Sequence, residues 1–321
     1  MPSEFDLIQR FFTRSAPNAV LGVGDDAALV QVAPGKLLAV SSDMLVAGRH
    51  FLPDADPCLL GHKTLAVNLS DLAAMGATPR WATLALALPG VDEAWLAAFS
   101  RGFFELADRF GVTLVGGDTT RGPLNLCVTV FGETLAQPLR RDLAQAGDDI
   151  WVSGDLGGAA LGLAHLSGDV HLDQDEASAC LARLHQPEPR VQLGGLLAEL
   201  PRVAAIDISD GLLADLGHIL ERSGVGADIE LARLPAHAAV AARLPDSSLA
   251  RRCLLAGGDD YELCFTASPV SASAILAAGA TAGVALSRIG QTSEQPGLRV
   301  VGVDGLPLKI EERGFDHFAS R

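Results

Sequence analysis

Apolar residues recur along the chain in short runs and in longer segments with helical spacing. The short runs predict buried strands at 37–40, 81–88, 112–115, 126–131, 150–152, 204–208, 286–289 and 298–303. Helical spacing predicts helices at 5–12, 59–75, 92–110 and 211–222. In the third helix, Phe99 and Phe103 belong to an apolar face that more often packs in a core than against a ligand. The pattern therefore places strands and helices along most of the chain.

One segment, GGDTTRG at 116–122, directly follows the predicted strand at 112–115. Two glycines allow the backbone to turn sharply and to approach a ligand closely. Asp118 lies at that turn, followed by Thr119, Thr120 and Arg121. We therefore predict a turn that places a carboxylate where a metal or a phosphate can bind. An ordinary glycine-rich turn capped by an aspartate is the alternative.

The same order, an apolar strand followed by hydroxyl and carboxylate side chains, occurs elsewhere in the chain. Ser41, Ser42 and Asp43 follow the strand at 37–40, and Asp207, Ser209 and Asp210 lie at the end of the strand at 204–208. A Gly-x-Gly turn precedes the adjacent pair Asp25 and Asp26, which is either solvated or bound to metal.

Asp71 lies inside an otherwise apolar helix, between Leu69 and Leu72. A carboxylate in such a place is costly unless it is paired or bound to a metal. A glycine-rich turn at 154–158 precedes an Ala/Leu helix, and it either binds an anion or simply packs. His50 follows the strand predicted at 37–40, and a lone histidine is more often a surface hydrogen-bonding residue than a site residue.

Length and charge restrict the class of protein. A chain of 321 residues suits two domains, with a polar segment at 132–147 as the boundary. A net charge of −15 argues against nucleic acid or an anionic membrane surface as a partner. Anionic ligands remain compatible with this charge only if divalent cations mediate their binding.

The five cysteines show no CxxC pairing, and most lie in apolar surroundings, which predicts core thiols in a reducing compartment. The amino-terminal segment lacks a basic region followed by an apolar one, so no signal peptide is predicted. No apolar run reaches the ~18 residues that span a bilayer. We therefore expect a cytoplasmic protein without a membrane segment.

The carboxylates at the predicted strand ends and on the helix stand beside glycine or serine rather than beside lysine or arginine. A group of carboxylates without basic partners needs cations, and hard oxygen ligands favour magnesium over zinc. Magnesium usually binds substrate phosphates through a few carboxylates. The residues alone thus indicate a multi-magnesium phosphate site for phosphoryl transfer.

Six motifs carry a resemblance that spans residues 5–318: GVGDDAA, SSDMLVAGRHF, NLSDLAAMGATP, GGDTTRG, DISDG and GGDDYEL. In this order they resemble the thiamine-monophosphate kinase family, within the aminoimidazole-ribonucleotide-synthetase-like superfamily of ATP-binding enzymes. The resemblance implies two α/β domains of the α+β type. Residues 1–137 would bind ATP and magnesium and pair their sheet in a homodimer, and residues 138–321 would complete the active site.

The resemblance also implies an activity: transfer of phosphate from ATP to thiamine monophosphate, giving thiamine diphosphate and ADP. Several Mg²⁺ ions would be held by Asp26, Ser41, Ser42, Asp43, Asp71, Asp118, Asp207 and Asp210. ATP would be contacted by Phe104, Gly117, Asp118, Arg141 and Ser209, and the thiamine phosphate by His50, Asp259 and Phe315.

Two of these positions depart from the family pattern. Phe104 stands where the family often has tyrosine, so a ring can stack but a hydroxyl contact is lost. Asp259 stands where the family usually has glutamate, which shortens the reach of the carboxylate but keeps its charge. No general base is expected, since the second pKa of a phosphate monoester is about 6 and the nucleophile is already ionised at neutral pH.

Two other classes compete with this interpretation. Among related enzymes, a selenophosphate synthetase is expected to have a reactive cysteine near its amino terminus, whereas the first cysteine here is Cys58. A hydrogenase-maturation protein is expected to end in a cysteine-containing tail, whereas this chain ends in Ser320-Arg321. A non-catalytic binder of nucleotide or thiamine diphosphate could lose several carboxylates, and all of them are present.

Overall fold

The computed structural model describes residues 3–302, 304–308 and 314. The chain divides into two compact units. The first comprises the residues up to Leu72 together with Ala77–Ala136, and the second comprises Ala73–Gly76 together with the residues from Gln137 onward. The sequence prediction of a mixed α/β protein is confirmed, with one sheet in each unit.

The first unit contains a four-stranded sheet in the order β1-β4-β2-β3. Neighbouring strands are antiparallel except for the parallel pair β2 and β3. In chain order the elements are α1 (Glu4–Leu7, continued by a π-helical turn Ile8–Phe12), β1 (Leu37–Val46), α2 (Pro57–Ala74), β2 (Thr78–Leu88), α3 (Glu93–Phe110), β3 (Thr113–Arg121) and β4 (Asn125–Thr134).

Helix α3 shows why the sequence pattern predicts this region well. The Asp92 side chain accepts hydrogen bonds from the backbone N–H groups of Ala94 and Trp95, which caps the first turn. Gly111 ends the helix in the left-handed conformation, with φ of 65°. Between these caps the apolar face, including Phe99 and Phe103, is buried, as predicted.

The second unit contains a six-stranded sheet in the order β10-β7-β9-β5-β8-β6. Only β10 and β7 are parallel neighbours. The elements are β5 (Asp149–Ser153), α4 (Gly158–Leu166), α5 (Gln174–His185), α6 (Val191–Ala198), β6 (Ala204–Asp207), α7 (Leu212–Ser223), β7 (Gly226–Glu230), α8 (Ala238–Ala241), α9 (Ser248–Ala256), β8 (Leu263–Ala267), α10 (Ala272–Ala282), β9 (Leu286–Ser293) and β10 (Gly297–Val301).

Alternating side chains of this sheet enter two different cores. Ile150 and Val152 of β5 pack in a core with residues of α4, α5, α7, α8 and α9. Trp151, between them, packs in a second core with residues of α6 and α10. The sheet of the second unit is therefore covered by helices on both faces, and this explains why its strands read as continuous apolar runs.

Two predicted strand ends are wrong. Strand β1 does not stop at residue 40, because Ser41, Ser42 and Asp43 continue its ladder opposite Val130, Thr129 and Val128 of β4. Strand β3 likewise continues through GGDTTR. Polar residues extend both strands because backbone pairing with a neighbouring strand satisfies N–H and C=O groups whatever the side chains are.

Several other elements follow the sequence prediction and several do not. The strands predicted at 81–88, 126–131, 150–152 and 204–208 and the helices at 92–110 and 211–222 are confirmed with small shifts at their ends. Strands β7 and β8 and helices α6, α8, α9 and α10 are additional, and all of them are short, with at most 11 residues. No helix within the described residues has the length and apolar character that crossing a bilayer requires.

Candidate active site

Helix α2 and strand β1 bring together polar residues from two of the six motifs. The Ser41 hydroxyl donates a hydrogen bond to Asp71 Oδ2 at 2.5 Å. The backbone N–H of Asp43 donates to Asn68 Oδ1 at 3.0 Å, and the Asn68 amide donates back to the carbonyl of Thr64 within the helix. We expected Asp71 to need a partner because it lies inside the apolar helix α2. Ser41 is such a partner.

Ser42 belongs to the opposite face of the same strand. Its hydroxyl contacts Thr129 Oγ1 at 3.0 Å and donates to the carbonyl of Val128 at 3.1 Å. Successive side chains of a strand alternate between the two faces, so the hydroxyls of Ser41 and Ser42 diverge. A ligand on the Asp71 side of β1 can reach Ser42 only through its backbone.

Residues 116–121 of the GGDTTRG segment form the second part of strand β3, directly after a bulge, rather than a turn. The pairing of β3 with β2 shifts between Ala82 and Thr83, so that Val115 is the extra residue. Gly117 has φ of 150°, and a Cβ at this position would lie 1.8 Å from the carbonyl oxygen of Leu84. The glycine is needed for close approach of two backbones, and the next residue, Asp118, is exposed.

His50 follows β1, and a hydrogen bond to its ring indicates its tautomer. The backbone N–H of Val46 donates to His50 Nδ1 at 3.0 Å. Because Nδ1 accepts this bond, the neutral ring carries its hydrogen on Nε2. In this form Nε2 can donate a hydrogen bond to a phosphate oxygen and cannot remove a proton from a substrate.

Phe104 lies on α3 and is only 4% exposed. The Arg14 guanidinium carbon lies 3.7 Å from the centre of its ring, and Arg14 also pairs with Asp108 at 3.2 Å. A base that stacks on this ring must therefore displace Arg14. Asp26 is exposed, and its backbone N–H donates to the side chain of Asp25.

In the second unit, β6 ends at the buried Asp207, and the turn that follows is held by the side chain of Asp215. Oδ2 of Asp215 accepts hydrogen bonds from the backbone N–H groups of Ser209, Asp210 and Gly211 at 3.0–3.1 Å. Burial, with a smaller contribution from the charge of Asp210, raises the pKa of Asp215 to about 7, against the lowering effect of these three bonds.

The GGDDYEL segment pairs with this turn. The backbone N–H of Asp259 donates to the carbonyl of Ser209 at 2.9 Å, and that of Tyr261 donates to the carbonyl of Ile208 at 2.8 Å. The Tyr261 hydroxyl donates to Asp259 Oδ1 at 3.1 Å. The second unit thus brings Ser209 and Asp259 together, although they are widely separated in sequence.

A network of hydrogen bonds and buried charges holds the GGDDYEL segment in place. The carboxylate of Glu262 accepts from Ser153 Oγ at 2.5 Å and from Arg190 Nε at 2.7 Å. The backbone N–H of Gly157 donates to Asp260, whose pKa is raised well above its ordinary value by burial. Since this N–H already has a carboxylate partner, the glycine-rich turn at 154–158 is better explained by packing than by anion binding.

Two predicted site residues remain, Arg141 and Phe315. In the part of the chain that the structure describes, Arg141 forms no hydrogen bond or ion pair with another predicted site residue. Arg141 is exposed, and its backbone carbonyl accepts a hydrogen bond from the Ser223 hydroxyl at 2.9 Å. Phe315 lies outside the described residues.

Two family models match the chain. The AIR synthase related protein N-terminal domain matches residues 24–134, and the corresponding C-terminal domain matches residues 145–303. The thiamine-monophosphate kinase of Escherichia coli (strain K12) is 46% identical over 324 residues, which covers 99% of this chain and 98% of that protein. The chain belongs to the thiamine-monophosphate kinase family. The resemblance inferred from the six motifs is thereby confirmed.

Solved structures of thiamine-monophosphate kinases have the same fold. The crystal structure of the enzyme from Stenotrophomonas maltophilia K279a is 48% identical, with a TM-score of 0.82, and covers 90% of this chain and 92% of its own. A structure of AaThiL complexed with AMPPCP and TMP is 30% identical, with a TM-score of 0.77 and coverage of 92% of each chain. The two-domain fold implied by the family resemblance is confirmed.

The predicted magnesium ligands are dispersed over several elements rather than gathered in one cluster of side chains. Within the described residues, no three His, Cys, Asp or Glu side chains form a group that could hold a metal ion. Magnesium does not require such a group, because it is commonly bound by one or two carboxylates together with substrate phosphates and water. The predicted donors, such as Asp71 with Ser41, are all oxygens and fit this mode.

Asp215, Tyr261 and Arg14 contact predicted site residues but were not themselves predicted from the sequence. Asp215 lies in LLADL, a carboxylate in an apolar helix, and the criterion that singled out Asp71 applies to it equally. Tyr261 was part of a quoted motif without a role. Arg14 showed no pattern at all, because its contact with Phe104 depends on how the amino-terminal segment packs on α3.

Proposed function

We propose that this chain transfers the γ-phosphoryl group of ATP to thiamine monophosphate, giving thiamine diphosphate and ADP. The observation that supports this most strongly is identity of 46% over nearly the full length with a thiamine-monophosphate kinase. A second relative, covering 92% of the chain, was solved as a complex with AMPPCP, an unreactive ATP analogue, and TMP.

The nucleophile in this reaction is a phosphate oxygen of thiamine monophosphate. With a second pKa of about 6, the monophosphate is mostly dianionic at neutral pH, so no general base is required. This oxygen attacks the γ-phosphorus of ATP in line, the bond to the β,γ-bridging oxygen breaks, and ADP leaves. His50, whose Nδ1 accepts from Val46, positions the substrate by donating from Nε2.

Several Mg²⁺ ions accompany the reaction, held by Asp26, Ser41, Ser42, Asp43, Asp71, Asp118, Asp207 and Asp210. Ser42 would contribute through its backbone rather than through its hydroxyl, which contacts Thr129. When bound, magnesium neutralises the charge of the phosphate oxygens and aligns them. The protein, with a net charge of −15, needs this compensation to hold two anionic substrates.

The remaining site residues are assigned by the same resemblance. Phe104, Gly117, Asp118, Arg141 and Ser209 contact ATP, and His50, Asp259 and Phe315 contact thiamine monophosphate. Residues 1–137 then provide nucleotide and magnesium binding and self-association, and residues 138–321 provide further contacts to metal, nucleotide and substrate. The cytoplasm, where ATP is supplied, stays the predicted location.

A homodimer is supported by one face of the first sheet. Val40 and Met44 of β1 are each 55% exposed, opposite Phe131 and Cys127 of β4. These apolar side chains flank the hydroxyls of Ser42 and Thr129 on the same face of the paired strands, which offers a surface that a second copy can cover. We expect Met44→Glu to convert the dimer to a monomer in sedimentation velocity. Leu276→Glu, at a 53% exposed position of α10, is the matched control and leaves the dimer intact.

The activity is tested by a coupled assay of ADP release with ATP and magnesium, comparing thiamine monophosphate with thiamine. We expect release with the monophosphate only, and loss of that release in Asp71→Asn. Asp175→Asn, at an exposed position of α5, is the control that stays active. Magnesium-dependent binding of ATP without turnover on either compound would instead favour another substrate or a non-catalytic role.

A further inference from the structure

Three consecutive backbone N–H groups at the start of α7 point at one atom. Those of Ser209, Asp210 and Gly211 all donate to Oδ2 of Asp215, at 3.0, 3.1 and 3.1 Å. Converging N–H groups at the amino end of a helix ordinarily form a binding site for a phosphate or another anion. Here the anion is the protein's own carboxylate, and Asp215 is 3% exposed.

This arrangement changes the kind of ligand that the turn can bind. Since their N–H groups are occupied, Ser209, Asp210 and Gly211 cannot receive a phosphate through the backbone. What the turn can still offer to a ligand is oxygen, from the hydroxyl of Ser209 and the carboxylate of Asp210. Oxygens bind a hydrated cation or donor groups of a nucleotide rather than a bare phosphate.

The turn has little freedom to rearrange. On one side Asp215 holds three N–H groups, and on the other the carbonyl of Ser209 accepts from the N–H of Asp259. Gly211 has φ of 118°, and a Cβ there would lie 2.7 Å from the backbone of Ala256. The direction in which Ser209 and Asp210 present their oxygens is therefore set by Asp215 together with this packing.

We propose that Asp215 is a positioning residue of the kinase, which fills the anion-binding turn with its own carboxylate and so commits Ser209 and Asp210 to binding magnesium and nucleotide. This rests on the proposed function of Ser209 and Asp210. In this proposal Asp215 contacts neither substrate nor metal, because its side chain is buried against the turn, and its effect passes through the backbone of the turn.

The first test is Asp215→Asn, which keeps the size of the side chain and an acceptor oxygen but removes the charge. Hydrogen bonds to a charged acceptor are stronger than neutral ones. At about pH 8.5, above the pKa of Asp215, we expect the weaker hold on the turn to raise the magnesium concentration for half-maximal activity about tenfold. The KM for thiamine monophosphate stays within about twofold of the wild type, because the altered contacts are on the metal and nucleotide side.

Asp148→Asn is the matched control. Asp148 is 2% exposed, and it accepts from Arg202 and from the backbone N–H of Gln145 in the same unit. This variant is expected to lower the melting temperature without changing the magnesium dependence. If Asp215→Asn only lowers the melting temperature, as Asp148→Asn does, Asp215 is structural and the proposal is wrong.

Asp215→Ala gives a second readout, because it opens the three N–H groups to anions. We expect inorganic phosphate to become an inhibitor competitive with ATP, and added acetate to restore part of the activity, in this variant and not in the wild type. An Asp215→Ala enzyme that folds and shows neither effect contradicts the proposal.

Failure of the proposed function is recognised separately. If the wild type releases no ADP with thiamine monophosphate, the kinase assignment fails. Calorimetric binding of Mg·ATP to wild type, Asp215→Asn and Asp148→Asn then still tests the positioning role. A weaker affinity in Asp215→Asn alone supports it, and equal affinities in all three overturn it.

Discussion

The backbone N–H of Asp259 donates a hydrogen bond to the carbonyl of Ser209 at 2.9 Å. Gly258 makes this approach possible, because a Cβ there would lie 2.4 Å from the same carbonyl oxygen. Asp259 and Tyr261 both have positive φ, at 68° and 50°, a strained conformation for residues other than glycine. A residue proposed to bind substrate is thus tied directly to one proposed to bind ATP.

Tyr261 is expected to fix the direction of the Asp259 carboxylate. Its hydroxyl donates to Asp259 Oδ1 at 3.1 Å, and this bond is worth about 1 kcal/mol. We expect Tyr261→Phe to raise the KM for thiamine monophosphate about fivefold and to leave the KM for ATP unchanged. In Asp259→Asn the same replacement should have a smaller effect. Equal effects in both backgrounds would show that Tyr261 acts independently of Asp259.

The close approach of Gly117 to β2 gives a prediction with a neighbouring control. Gly117→Ala places a Cβ 1.8 Å from the Leu84 carbonyl, so the strand must shift and carry Asp118 with it. We expect a loss of about 2–4 kcal/mol in the free energy of unfolding together with loss of kinase activity. At Gly116 the nearest atom to a new Cβ, Thr83 Cγ2, is 3.9 Å away. Gly116→Ala should therefore stay active, and an inactive Gly116→Ala would mean that both glycines serve the ligand directly.

Individual elements were predictable where local chemistry decides them. Asp92 and Gly111 mark the ends of α3 in the sequence as they do in the structure. The extent of strand β3 was not predictable, because a glycine pair can form a turn or allow two backbones to approach closely. The sequence does not distinguish these two uses. Only the pairing of Gly117 with Leu84 decides between them, and that pairing depends on β2.

The site residues divide in the same way. The sequence indicated that Asp71 needs a partner, since an apolar helix surrounds it, but the identity of Ser41 as that partner required the packing of α2 against β1. The faces of Ser41 and Ser42 could not be assigned while the strand was expected to end before them. The contact between Asp259 and Ser209 is a long-range one, which no local pattern encodes.

The guanidinium of Arg14 covers the ring of Phe104. If the nucleotide base stacks on this ring, it displaces a guanidinium that a cation–π contact of about 0.5–1 kcal/mol holds there. We expect Arg14→Ala to lower the KM for ATP about two- to fivefold. Arg10→Ala, which removes a cation from over Phe11 in the same segment, is the control. A higher KM for ATP in Arg14→Ala would show that Arg14 contacts the nucleotide itself.

Glu176 links α5 to Arg243 and gives the protein a defined acid sensitivity. Both guanidinium Nη atoms donate to the carboxylate at 2.7 Å, and this pairing lowers the pKa of Glu176 to about 2 from an ordinary value of 4.5. Because the folded-state pKa lies below the unfolded-state value, the pair stabilises the fold above pH 4.5. That contribution is lost as the pH falls from about 4.5 to about 2.

Glu176→Gln should therefore be less stable than the wild type in urea at pH 7, with the difference shrinking below pH 4.5. Glutamine can still form the reciprocal cap with Asp173, so the substitution removes the charge pair and leaves the cap. Glu230→Gln, in an exposed pair with Arg233, is the control and should have little effect, since such pairs contribute little. A stability difference for Glu176→Gln that is the same at pH 7 and at pH 3 would mean that the glutamate acts through packing rather than through its charge.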